Sequence, residues 1–279
     1  MRTILLVLVF AIAGAAGADA QTTAKKPEKG ERFSYQVESE VEITEITSQD
    51  EKSLRATATG LAELRARKLS KKRIEWTYSA EPVRLRVSNT IGPGRPRDTT
   101  VRGTSRVFLT DASGAPVTQA NTRITSSEIS GILDGIQQNM IKRWILPSKM
   151  RAMKPGDTWE EERSDEVTVP DVGMVLDSRF TVAYTFDGIV DTLGIKAVRV
   201  RSRSSSVSIR GSRTIDGAKM KLEGDGGSHL GTSYYSTIDG VLLASRSENE
   251  VDIRVTGSGE SADIPMTWRQ RASAMRAKE

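Results

Sequence analysis

Histidine occurs once in the 279 residues, at His229, within Gly-Gly-Ser-His-Leu-Gly. A lone imidazole can act as a general base or as one metal ligand, but either task needs partners: a nucleophile with an orienting group, or further donors. Neither surrounds it in sequence. Glu223 and Asp225 are nearby carboxylates without a ligand pattern, so His229 is expected at a loop or strand end. The acidic run Glu160, Glu161, Glu162, Asp165 and Glu166 lacks the Asp/Asn-Gly loop that turns oxygens inward around calcium, and reads as a solvated strand. Ser202 to Ser206 is serine-rich without a G-x-S-x-G elbow. No glycine loop leads into a helix to cradle phosphate. Cysteine is absent, which excludes disulfides, thiolate metal sites and a thiol nucleophile. The sequence therefore assigns no catalytic residue, no metal site and no cofactor.

The aromatic residues carry the remaining chemistry. Trp76, Tyr78, Phe180, Tyr184 and Phe186 fall on the apolar faces of alternating segments, and Trp144 falls on the apolar face of a helical one. Two readings are open for them. They are core, or a strongly curved sheet keeps part of this face accessible as a groove for an apolar or lipid-like ligand. The six are the candidate ligand-binding residues.

The elements that must position them are mostly strands. Phe33, Tyr35 and Val37 alternate with Ser34, Gln36 and Glu38, and Val41 and Ile43 continue the pattern. Leu54, Ala56 and Ala58 lead toward Leu64. Arg65, Arg67, Lys68, Lys71, Lys72 and Arg73 form a dense basic cluster, read as a charged hairpin turn before Ile74, Trp76 and Tyr78. Val83, Leu85 and Val87 follow. Ile91 to Asp98, with Pro93 and Pro96, reads as loop, and Val107 and Leu109 mark a short strand. Ser126 to Ile145 reads as the single helix, with Ile129, Ile132, Leu133, Ile136, Met140 and Trp144 on one face, a serine N-cap and Pro147 as the stop. Alternation then resumes through Phe180–Phe186, Val198 and Val200, and Val251, Ile253 and Val255. Asp216-Gly217 and Asp239-Gly240 are tight-turn signals. Together these predict a mainly β chain: a curved antiparallel sheet, half-barrel or open barrel, of about ten to twelve strands with one central amphipathic helix.

Residues 1–20 read as a signal peptide: Arg2, then an apolar stretch from Ile4 to Ala13, then Ala18-Asp19-Ala20 before a cleavage site at Gln21. The apolar stretch is too short for a bilayer, which takes about 20 residues. Residues 21–30 read as a flexible leader and 31–275 as one β-rich domain. The chain carries a net charge of +5, which cleavage preserves by removing Arg2 and Asp19. Acids are interleaved with the bases, no nucleic-acid motif accompanies them, and no nucleic-acid partner is expected. No second long apolar run predicts a membrane span after cleavage. The expected location is periplasmic or secreted, in a bacterium.

A helix ending in Leu146-Pro147, followed by Pro155-Gly156-Asp157-Thr158-Trp159 and further strands, resembles a group of secreted bacterial β domains similar to the periplasmic lipoprotein carrier and its lipid-binding relatives. The resemblance implies an unclosed antiparallel half-barrel with helical cover over an apolar cavity, across roughly residues 31–275. The expected function is a non-enzymatic envelope protein binding an apolar or lipid-like ligand. The alternative is a structural or protein-interaction module with a fully packed core and an envelope protein partner.

Overall fold

The computed structural model describes residues 31–46, 51–68, 70, 73–89, 97–101, 105–111, 122–125, 144–146, 153–169, 174–215, 218–257 and 263–277. These form fourteen strands: β1 (Arg32–Ile46), β2 (Glu51–Lys68), β3 (Arg73–Ala80), β4 (Val83–Asn89), β5 (Arg97–Val101), β6 (Ser105–Asp111) and β7 (Thr122–Thr125) in the first half. The second half supplies β8 (Thr158–Val169), β9 (Met174–Thr192), β10 (Ile195–Ile215), β11 (Ala218–Asp225), β12 (Ser228–Ser236), β13 (Leu242–Gly257) and β14 (Asp263–Arg276).

All fourteen belong to one sheet, whose main path runs β5-β4-β2-β1-β14-β13-β11-β10-β9-β8-β7. Three long strands each carry two partners end to end along one side. β2 pairs β4 through Leu54–Thr59 and β3 through Ala62–Lys68, and β3 carries β6 on its far side. Likewise β10 and β13 hold β11 at one end and β12 at the other. Pairing is antiparallel except for β7 against β8. Side chains alternate between faces, as in β3, where Ile74, Trp76 and Tyr78 are buried, and the alternation is interrupted by register shifts at Arg199/Val200, Ser204/Ser206 and Tyr234/Tyr235. The buried residues of one face join into a single cluster that takes in Phe33, Trp76, Phe186 and Trp268. Among the described residues the cluster also takes in Trp144, Ile145 and Leu146, which lie outside the strands.

The convex face is charged. Glu40 of β1, Arg271 of β14 and Glu248 of β13 are in register, with Arg271 3.8 Å from Glu40 and 3.0 Å from Glu248, and Arg55 of β2 reaches Glu40 diagonally at 2.5 Å. In the neighbouring row Arg269 pairs with Glu250 at 2.7 Å. Such exposed pairs contribute little stability each, but they mark this face as wetted. A barrel wall against lipid would carry an outward apolar band instead.

Where β11 passes to β12, Gly226 adopts φ +84° and the flanking glycines permit close backbone approach to β13. A Cβ on Gly227 would lie 2.7 Å from Glu250 O and 2.6 Å from Val251 Cγ2, and one on Gly224 would lie 2.8 Å from Asp252 O. The backbone oxygens cannot yield without breaking the ladder. Gly227→Ala should therefore lower unfolding stability by about 1–3 kcal/mol, read as a lower urea midpoint at unchanged slope.

The sequence expectation differs at three places. Fourteen strands replace ten to twelve, because β5 and β7 are short polar edge strands without apolar alternation. Arg97 and Asp98, expected in a loop, belong to β5, where Asp98 accepts from Arg84 Nε at 3.1 Å and Nη2 at 2.6 Å. No α-helix occurs among the described residues. The helix expected over 126–145 lies outside them except for its end, which is not α-helical. There Trp144 sits in a 3-10 turn, Ile145 bridges Val241, and Leu146 N–H donates to Gly240 O at 2.8 Å. Backbone pairing to the β12–β13 turn holds this segment where periodicity alone suggested a last helical turn. Of the basic cluster, Arg65, Arg67 and Lys68 end β2 and Arg73 starts β3, the two strands pair as a hairpin up to Lys68 and Ile74, and Lys71 and Lys72 lie outside the described residues.

Candidate functional site: a buried polar row between aromatic walls

All six aromatic candidates face the concave interior. Trp76, Tyr78, Trp144, Phe180, Tyr184 and Phe186 belong to the one buried cluster, none more than 3% exposed. Trp144 lies over the β1–β3 side, 4.3 Å from the Tyr35 ring and edge-on to Tyr78 at 5.8 Å between centroids. Trp76 lies near-parallel to Phe108 at 6.3 Å and donates its indole N–H to Thr110 Oγ1 at 3.0 Å. On β9, Tyr184 stacks on Trp159 of β8 at 5.0 Å. In β6, Phe108 and Thr110 turn inward while Val107, picked out from sequence, is 60% exposed.

Between these walls runs a polar row that the sequence did not reveal. His229 is the second residue of β12, near a strand end as expected, yet it is 1% exposed. Its register partner on β13 is Asn249, whose own partner on β14 is Gln270. Asn249 Oδ1 lies 2.6 Å from His229 Nδ1. An amide oxygen can only accept, so Nδ1 carries the proton, and in the neutral ring Nε2 accepts from the Ser202 hydroxyl of β10 at 2.9 Å. Asn249 Nδ2 donates to Gln270 Oε1 at 3.4 Å, a long bond, and the His229 backbone N–H donates to Ser204 Oγ at 2.8 Å. The result is a chain of donors running one way, Ser202 to His229 to Asn249 to Gln270, all buried.

A second row adjoins it in register: Ser39 on β1, Ala272 on β14, Ser247 on β13, Gly231 on β12, Ser202 on β10, Tyr184 on β9 and Trp159 on β8. From Ser39 to Ser202 every side chain in it is small. The Oγ atoms of Ser39 and Ser247, the Trp159 indole nitrogen and, one row further, Ser233 Oγ are buried without a hydrogen-bond partner.

Serine, histidine and asparagine at these spacings have the outline of a nucleophile, base and orienting group. Acyl transfer also needs donors for an oxyanion. Ser202 lies mid-strand with β9 on one side and β12 on the other, so the surrounding amides are committed to the ladder. Glu160 and Glu162 of the acidic run face out on β8, while Glu161 shares the inward face with Trp159 and is half-buried. No group of three or more metal-ligating side chains occurs among the described residues.

At one end of the interior, Tyr35 Oη donates to Leu242 O at 2.8 Å, close to the Arg276–Asp239 pair at 2.8 Å. Burial holds the Tyr35 phenol well above its usual 10.0. Above pH about 10 the native state thus retains a proton that the unfolded chain loses, and stability falls as pH rises. Tyr35→Phe should make that alkaline loss less steep in urea titrations between pH 9 and 11, whereas an identical slope would assign it to other groups.

The residues missed from sequence are Ser202, Asn249, Gln270, Ser247, Ser233, Ser39 and Trp159. The available signal was parity: Gln270 stands two residues from Trp268, and Asn249 two from Val251, on the faces their apolar neighbours bury.

Fold and site together define a class: an open, curled antiparallel β protein, wetted outside and aromatic inside, with an internal belt of uncharged hydrogen-bonding groups. No protein-family model matches the chain, and no curated protein does. Among solved structures it matches Neisserial surface protein A (NspA) at 6% identity, over 88% of this chain and 97% of that one, with a TM-score of 0.24.

Proposed function

We propose that this chain is a non-enzymatic protein of the bacterial envelope that holds an apolar or lipid-like ligand against the concave face of its sheet. The observation that carries the reading is the pairing of aromatic walls with buried hydroxyls at Ser247 and Ser233 that the protein itself does not satisfy. A buried polar atom without a partner costs about 1–3 kcal/mol, and an interior shaped for packing alone would place alanine or valine there. Export is supported by Arg2, the apolar Ile4 to Ala13 and Ala18-Asp19-Ala20, and the charged convex face suits an aqueous compartment.

The test is titration of the folded mature protein with a fluorescently labelled acyl lipid. Saturable binding near one per chain is the expected result, and a flat titration would sink the reading. A second reading, a structural or protein-interaction module with a closed core, is favoured by one specific observation: all six aromatic candidates are at most 3% exposed. Stable copurification of an envelope protein with no lipid in either would favour it.

A further inference from the structure

We propose that the buried row of small side chains receives the uncharged polar end of an amphiphile, a hydroxyl, ester or amide group on a long apolar body. The proposal rests on the ligand-binding reading and names the ligand's class.

Its basis is the juxtaposition of two rows. Ser202, Gly231, Ser247, Ala272 and Ser39 line up across five strands as a trough of small side chains. Beside it lies the His229–Asn249–Gln270 row. Ser247 is 4% and Ser233 1% exposed, and their hydroxyls lack protein partners. By strand parity both share the face of His229 and Asn249, so they present hydrogen-bonding capacity to whatever occupies the trough. Polar groups in a low-dielectric interior reward a ligand that completes their bonds and penalise one that cannot.

The charge inventory chooses the ligand. A carboxylate or phosphate headgroup is ordinarily held by arginine or lysine. On β12, and on β13 and β14 where they flank the trough, the inward positions carry neither. Both ring nitrogens of His229 are already engaged by Ser202 and Asn249. Arg276, at the end of β14, is committed to Asp239 and lies over the Phe33 ring at 4.3 Å. A neutral polar end needs no such cation.

The experiment compares 1-monooleoylglycerol with oleate at pH 8, each below its aggregation threshold, by displacement of N-phenyl-1-naphthylamine from the mature protein. Wild type should bind the neutral amphiphile roughly tenfold more tightly, and Ser247→Val and Ser233→Val should each reduce that preference severalfold without weakening oleate. Neither serine hydroxyl has a partner to lose, so both variants should fold, checked by circular dichroism. Oleate bound as tightly as the glyceride, or a preference untouched in both folded variants, would overturn the inference while leaving apolar binding intact. Binding of neither amphiphile, nor of the naphthylamine, would remove the underlying reading as well.

Discussion

Trp268→Ala is expected to lower the free energy of unfolding by about 3–5 kcal/mol, among the most damaging single truncations in this chain. Trp268 is fully buried, pairs in register with Ile43 of β1 and Val251 of β13, and is among the largest side chains of the core. Its place is mid-path, within the one buried cluster, where close-packed neighbours relax only partly into a vacated volume, so the loss should lie toward the cavity-limited end of the range. The control is Leu230→Ala. Leu230 is a neighbour of His229 but points outward at 62% exposure, and its truncation should stay within about 0.5 kcal/mol. Urea unfolding of both variants checks this, and equal effects would mean that the inside and outside of the sheet are wrongly assigned.

Asn249→Leu should cost about 2–5 kcal/mol despite adding apolar surface. Asn249 accepts from His229 Nδ1–H and donates to Gln270 Oε1, so the change removes both bonds and leaves two buried groups to be desolvated without that partner. Replacing His229 and Asn249 together by leucine should cost less than the sum of the two single changes, because each substitution otherwise strands the other's partner. A coupling of about 1–3 kcal/mol is the expectation for neighbours in one network. Strict additivity would mean that the row is a set of coincident polar residues and not a chain. Either result bears on function, since a pre-organised row is what a ligand's polar group would need to find.

The strand-rich character and the aromatic walls were legible in the sequence because both follow from period-2 alternation, a local property. Phe33 and Tyr35, Trp76 and Tyr78, and Phe180 to Phe186 all face inward as that parity requires. The polar row was not legible, because its members come from β10, β12, β13 and β14 and meet only through pairing order. His229 illustrates the point: its sequence neighbours say nothing of Asn249, twenty residues away and directly across the ladder. The two short strands escaped for another reason. Arg97–Val101 is held at an edge by backbone pairing and the Asp98 ion pairs, and Thr122–Thr125 by backbone pairing, with little apolar pattern to show it. At Trp144 and Ile145 helical periodicity yielded to tertiary pairing with Val241, a local preference overridden by a neighbouring strand.

The most direct test of the central claim is native mass spectrometry of the protein expressed with its own leader and recovered from a bacterial envelope, with organic extraction of the same sample. The account predicts a population carrying one apolar molecule per chain, released on collisional activation and recovered as a neutral amphiphile in the extract. A uniformly bare polypeptide, still bare after incubation with envelope lipid, would contradict it and turn attention to the convex charged face and its protein partners.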